Sequence, residues 1–176
     1  MSELTDIDGD GNQQFIWLQE RDDTCGPACV YMVERILLQA CPAHGETRIR
    51  QIAELLPDGY REGKGTASFS ALALALQRIG IAASASVITS FKSFAATASF
   101  PFITRIGWPS GAGHFVVCVA RSGKGALVCL DPWYGLSEPA LDSLPAYRVT
   151  RNTRAAVCLA NPIGGVFSGH TIVLTA

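Results

Sequence analysis

Thr24-Cys25-Gly26-Pro27-Ala28-Cys29-Val30-Tyr31-Met32-Val33-Glu34-Arg35-Ile36-Leu37-Leu38 follows the polar run Gln19-Glu20-Arg21-Asp22-Asp23. Loop chemistry gives way at the cysteine to an apolar stretch of helical length, which predicts a helix from Cys25 to about Ala40, closed by Cys41-Pro42. A cysteine at a helix start has a reason to ionise. The unpaired N–H groups and the positive end of the helix dipole favour an anion there, and the thiolate is the nucleophilic form.

Outward from this helix the texture is helical first and β-rich afterwards. A second short helix is expected over 47–56, stopped by Pro57-Asp58-Gly59. A third carries Phe69, Leu72, Leu76 and Ile79 on one face after a cap at Thr66 or Ser68, and Gly80 ends it. The segment 90–97 reads as another helical turn or two. Strands are expected over 81–88, 100–107, 114–121, 126–131, 146–150, 155–160 and 170–175, where β-branched and apolar runs alternate with glycine and proline. Helices followed by strands make an α+β domain with a mostly antiparallel sheet. Residues 1–14 read as a flexible leader and 15–176 as the domain.

The composition supports a single packed core: 176 residues, 48% hydrophobic and 16% charged. The net charge of −1 gives no electrostatic case for nucleic acid or an anionic membrane surface. No run reaches the roughly 18 apolar residues of a membrane span. The polar start, Met1-Ser2-Glu3-Leu4-Thr5-Asp6, is unlike a secretory signal, so the expected location is the cytoplasm, or export without a cleaved signal. The six cysteines (25, 29, 41, 118, 129 and 158) lie mostly in apolar segments, which favours free thiols in a reducing compartment. No CxxC pair exists and the histidines at 44, 114 and 170 are scattered, so neither a metal nor a cofactor is expected. Asp6-Ile7-Asp8-Gly9-Asp10-Gly11 imitates the start of a calcium loop, but Trp17 stands where the bidentate glutamate belongs. A solvated acidic tail is the expectation there.

Two later segments complete a catalytic set. Gly113-His114-Phe115-Val116-Val117 and Leu130-Asp131-Pro132-Trp133 bracket a hairpin whose turn is most naturally Ser122-Gly123-Lys124-Gly125. A two- or four-residue loop pairs Arg121 with Ala126, and so Cys118 with Cys129 and Val116 with Asp131. His114 and Asp131 then become diagonal neighbours on one sheet face, about 7–8 Å apart at the backbone. An odd-length loop would put them on opposite faces. In this arrangement Cys25 is the nucleophile, His114 the general base and acid, and Asp131 the group that fixes the imidazole. Gln19, six residues before Cys25, is the candidate oxyanion donor. His170, opening a strand after Gly169, is the rival base, but no aspartate follows it at comparable spacing. His44 sits in a Pro/Gly loop and is expected in solvent; Cys29 is expected to pack.

Gln19, Asp23-Thr24-Cys25-Gly26-Pro27-Ala28-Cys29-Val30-Tyr31-Met32, Gly113-His114-Phe115-Val116-Val117 and Asp131-Pro132-Trp133-Tyr134-Gly135 together resemble the motifs of papain-like cysteine peptidases. The similarity is greatest to the bacteriocin-processing peptidases, which cut leader peptides after a double glycine. Asp131-Pro132-Trp133 is also similar to papain-like effector proteases that bacteria deliver into host cells. The resemblance implies a papain-like fold and hydrolysis of peptide or isopeptide bonds in a peptide or protein substrate. Ala28 and Cys29 depart from the papain pattern of a second cysteine and an aromatic residue, and Asp131 stands where papain has asparagine. Gly63, Gly65 and Gly111-Ala112-Gly113 would allow a narrow substrate close to the backbone. The same triad would also serve an amidase or acyl transferase, and a binding module could carry it as a vestige.

Overall fold

The computed structural model describes residues 2–152 and 157–175. A hairpin of β1 (Glu3–Ile7) and β2 (Gln13–Trp17) precedes three helices, α1 (Cys25–Leu38), α2 (Gly45–Glu54) and α3 (Ser70–Arg78). A two-residue pair, β3 (Tyr60–Arg61) and β4 (Gly65–Thr66), lies between α2 and α3. The rest is β5 (Ala83–Val87), α4 (Phe91–Thr97), β6 (Phe102–Gly107), β7 (Gly113–Arg121), β8 (Leu127–Asp131), β9 (Gly135–Ser137), β10 (Ala146–Asn152) and β11 (Val157–Leu174). These strands form one antiparallel sheet in the order β10-β11-β6-β7-β8-β9, with β5 also on β11. The fold is α+β and papain-like.

Helix α1 is central. Every residue from Gly26 to Val33 is buried, because the helix is apolar on nearly all sides and is enclosed by the neighbouring elements. Cys29, Val30 and Val33 share a core with Ile49, Leu72, Leu76, Ile103, Phe115, Val117, Leu130 and Ile172. The other face of the sheet has a second core, in which Phe91 of α4 stacks on Phe167 at 4.3 Å, with Phe102, Val116, Cys118, Leu127, Cys129 and Tyr147 around them. Strands that carry apolar side chains on both faces need a cover on both. The three helices supply one and α4 the other.

Several expectations need correction. The segment read as a leader with a solvated acidic tail is instead the β1–β2 hairpin. Asp8 is buried, and its carboxylate accepts from Asp10 N (3.0 Å), Asn12 N (2.9 Å) and Gln14 Nε2 (2.9 Å), which closes the turn. Asp10 Oδ2 accepts from Gly123 N (2.8 Å) and Glu138 Oε1 from Gly9 N (2.7 Å), so the turn docks on the β7–β8 loop. The acids are used up as hydrogen-bond acceptors for backbone. The strands expected at 155–160 and 170–175 belong to one strand, β11, with residues 155 and 156 outside the described residues. Its length has a cause: its first part pairs with β10 and its last five residues with β5.

The β7–β8 hairpin reaches the expected pairing by another route. Arg121 pairs with Leu127, not Ala126, which leaves an odd five-residue loop. A bulge at Val119 inserts one extra residue and restores the parity, so Cys118 does face Cys129, with the sulfurs 3.5 Å apart. Val117 pairs with Leu130 one step further. His114 and Asp131 therefore share a face.

Candidate active site

Cys25 begins α1, half-buried, at the edge of a cleft of about 960 Å³. Its wall on the helical side is formed by Gln19, Asp22, Asp23 and Gly63 to Phe69, and its wall on the sheet side by Arg105, Trp108, Ala112 to Phe115 and His170. Gly26 must be small here. A Cβ on it would lie 2.6 Å from Thr66 Oγ1 and 2.9 Å from Leu72 Cδ2, so glycine lets the first turn of α1 sit against β4 and α3. Gly65 has a positive φ of 78° and turns the chain beside Asp23. Asp23 holds that turn by accepting from Tyr60 Oη (2.9 Å) and Gly63 N (2.6 Å).

His114 Nε2 lies 2.7 Å from Asp131 Oδ1. An ionised carboxylate only accepts, so Nε2 carries the proton and Nδ1 is the nitrogen left for Cys25. Cys25 and this ring line the same cleft. Burial alone would lower the imidazole pKa. The charge and hydrogen bond of Asp131, with a smaller influence of the nearby Cys25, outweigh it and push the pKa up to about 10. Asp131 is fully buried, which would raise its pKa, but His114 and hydrogen bonds from Tyr147 and the Tyr134 amide hold it below the ordinary carboxylate range. Asp131 Oδ1 also accepts from Trp133 N (2.8 Å) and Tyr134 N (3.0 Å), so the Asp-Pro-Trp turn folds around its own carboxylate. Oδ2 accepts from Tyr147 Oη at 2.6 Å.

Gln19 sits in the same cleft. Its Nε2 donates to Arg21 O (2.7 Å) and its backbone N to Pro132 O (2.8 Å), which ties the segment before Cys25 to the segment after Asp131. Glu46, buried on α2, accepts from Trp17 Nε1 and Glu20 N, each at 3.0 Å, and so grips the chain on both sides of Gln19. Burial raises the Glu46 pKa despite these bonds.

The four residues expected at the site are thus gathered in one place. His170 lines the cleft too, but its Nδ1 meets Ser168 Oγ at 2.9 Å and its ring stands edge-on to Phe69 at 4.9 Å. His44 is exposed and Cys29 is buried, where desolvation raises its pKa. Three contributors were not expected: Tyr147, Glu46 and Trp108, whose ring is stacked with His114 at 5.9 Å. Trp108 follows a recognised strand, but nothing in the local sequence of Tyr147 or Glu46 marks a partner.

The profile of the family described as Peptidase C39 family matches residues 14–139. No curated protein sequence matches the chain. Among solved structures, the chain is similar to a double glycine motif protease from an AMS/PCAT transporter in complex with its leader peptide. Identity is 18%, with 90% of this chain and 89% of that one covered and a TM-score of 0.59. It is also similar to the peptidase domain of Streptococcus ComA, a bi-functional ABC transporter involved in a quorum sensing pathway. Here identity is 14%, coverage 90% and 95%, and the TM-score 0.61. The peptidase domain of Streptococcus mutans ComA gives 13%, 90%, 97% and 0.52 in the same order.

Proposed function

The chain belongs to the Peptidase C39 family and is a cysteine peptidase, and we propose that Cys25, His114, Asp131 and Gln19 carry its reaction. The observation that supports these roles is the 2.7 Å bond between His114 Nε2 and a buried Asp131, with Cys25 and His114 lining one cleft. Cys25 sulfur attacks the scissile carbonyl carbon, and His114 holds the former thiol proton at Nδ1. Asp131 keeps Nε2 protonated and the ring oriented. The Cys25 backbone N–H and the Gln19 side-chain amide face the oxygen on which charge develops. As the C–N bond breaks, Nδ1 gives its proton to the leaving amine. Water, deprotonated by the same nitrogen, then releases the acyl group and restores the thiol.

The substrate class follows as part of the same proposal. Gly63, Gly65, Ala112 and Gly113 line the cleft and present backbone rather than bulk. A peptide with glycine at the cut site would fit there, and the double glycine named for a structural neighbour supports that class.

The test is cleavage of synthetic peptides containing a Gly-Gly pair, with products identified by mass. A free acid after the glycine pair is the expected product, and Cys25→Ala and His114→Ala abolish it in folded protein. Gln19→Ala lowers kcat by about 100- to 1000-fold. Turnover retained in Cys25→Ala moves the nucleophile elsewhere, and a new amide in place of the acid makes the protein an acyl transferase.

A further inference from the structure

Arg105 occupies the wall opposite the nucleophile helix and plays no part in the reaction just described. It lies on β6 in register with Phe115 of β7, which places its side chain on the same face as Gly113 and next to His114 in the sheet. A Cβ at position 113 would lie 2.7 Å from the guanidinium carbon, so the cation is laid across the glycine that precedes the catalytic histidine. The same cleft is lined by His170 and Phe69. Ser168 Oγ bridges this wall, 3.3 Å from the Arg105 carbonyl and 2.9 Å from His170 Nδ1.

Among the described residues, none accepts a hydrogen bond or ion pair from the Arg105 guanidinium. Asp131 is sealed by its own donors, and Asp23 is bound to Tyr60 and Gly63. Arg105 is half-buried, so its charge acts where water screens it less than on open surface. A planar fork of donors in such a place suits a carboxylate, which can take two parallel N–H bonds.

We propose that Arg105 is a specificity-determining residue that binds a substrate carboxylate, an acidic side chain within a few residues of the cleaved bond. This rests on the cleft being the peptide-binding site. Gly113 then has a second use: by leaving its β position empty it makes room for the guanidinium against the strand that carries His114.

The experiment compares peptides that share a Gly-Gly pair and carry one Glu or one Gln at each of three positions before and three after it. Binding is measured to the Cys25→Ala protein by calorimetry, and kcat/KM with the wild type. At one position the glutamyl peptide should bind at least ten-fold tighter than its glutaminyl twin. Arg105→Gln in the Cys25→Ala background should bring that ratio to about one. Arg105→Lys should keep part of it, and Arg105→Glu should shift the preference to a lysyl peptide. Equal binding of the twins at all six positions, or a ratio unchanged by Arg105→Gln, overturns the proposal. A C-terminal carboxylate as the true ligand would show as preference for a free acid over an amide end with no internal Glu effect, and it too overturns the side-chain assignment. Because binding is read without turnover, absence of cleavage counts against the catalytic roles alone.

Discussion

Replacing Tyr147 by phenylalanine isolates one hydrogen bond behind His114. Tyr147 is 1% exposed and Asp131 is 0%, and the bond removed is the 2.6 Å contact from Tyr147 Oη to Asp131 Oδ2. The ring stays, with its packing on Phe167 at 5.4 Å and Trp108 at 6.0 Å, so no cavity opens. A hydrogen bond to a charged group contributes about 1.5–3 kcal/mol. Its loss raises the Asp131 pKa toward the ordinary carboxylate range. For a chain of this size the same loss lowers Tm by about 3–12 °C at pH 7. The sign follows from linkage: a carboxylate with a depressed folded pKa stabilises above its unfolded value near 3.9, and that contribution is lost as pH falls. The difference between wild type and Tyr147→Phe should therefore be full at neutral pH and vanish where Asp131 is protonated in both. Urea unfolding across pH measures it, and the acid limb of kcat/KM should move to higher pH. A variant within about 0.5 kcal/mol of wild type at pH 7, with an unmoved acid limb, refutes the role of Tyr147 as the charge partner of Oδ2.

Other outcomes follow from the same geometry. The His114 pKa, raised to about 10 from 6.5, gives stability that is complete below 6.5 and is lost as pH climbs toward 10; Tm should fall over that interval, and His114→Ala should flatten the slope. Gly26→Ala, whose new methyl meets Thr66 and Leu72, should cost about 1–3 kcal/mol in chemical unfolding. Thr66→Ala in the same chain should recover part of that cost, since the buried Thr66 Oγ1 has no hydrogen-bond partner among the described residues; no recovery places the strain elsewhere.

What the sequence made legible was local or periodic. The helix at Cys25 could be read because an apolar run of helical length starts there, and the shared face of His114 and Asp131 because strand parity is a counting rule. Counting alone gave the wrong loop, since the Val119 bulge and the odd turn cancel and neither leaves a mark in composition. The β1–β2 hairpin was hidden because its turn acids look like a solvated tail until Asp8 is seen collecting backbone amides. β11 was split because Asn161-Pro162 and Gly164-Gly165 interrupt its apolar pattern, although β10 pairs with Gly164 and Gly165 and the strand runs on to pair with β6 and β5. Tyr147 and Glu46 reach the site only through the curl of the sheet and the packing of α2, at separations of 16 and 26 residues from the groups they bind. Such contacts belong to tertiary structure.

The pairing of Cys25 with the His114 imidazole can be tested by reaction with iodoacetamide at pH 6, with each cysteine followed by mass spectrometry. Cys41 and Cys158 are exposed and Cys25 only partly so, which means that access alone would label those two first. Activation by the adjacent imidazolium and the helix N-terminus should label Cys25 first instead, and His114→Ala should slow it to the rate of Cys41. Labelling of Cys41 or Cys158 ahead of Cys25, or a Cys25 rate indifferent to His114→Ala, would contradict the pairing on which the catalytic account rests.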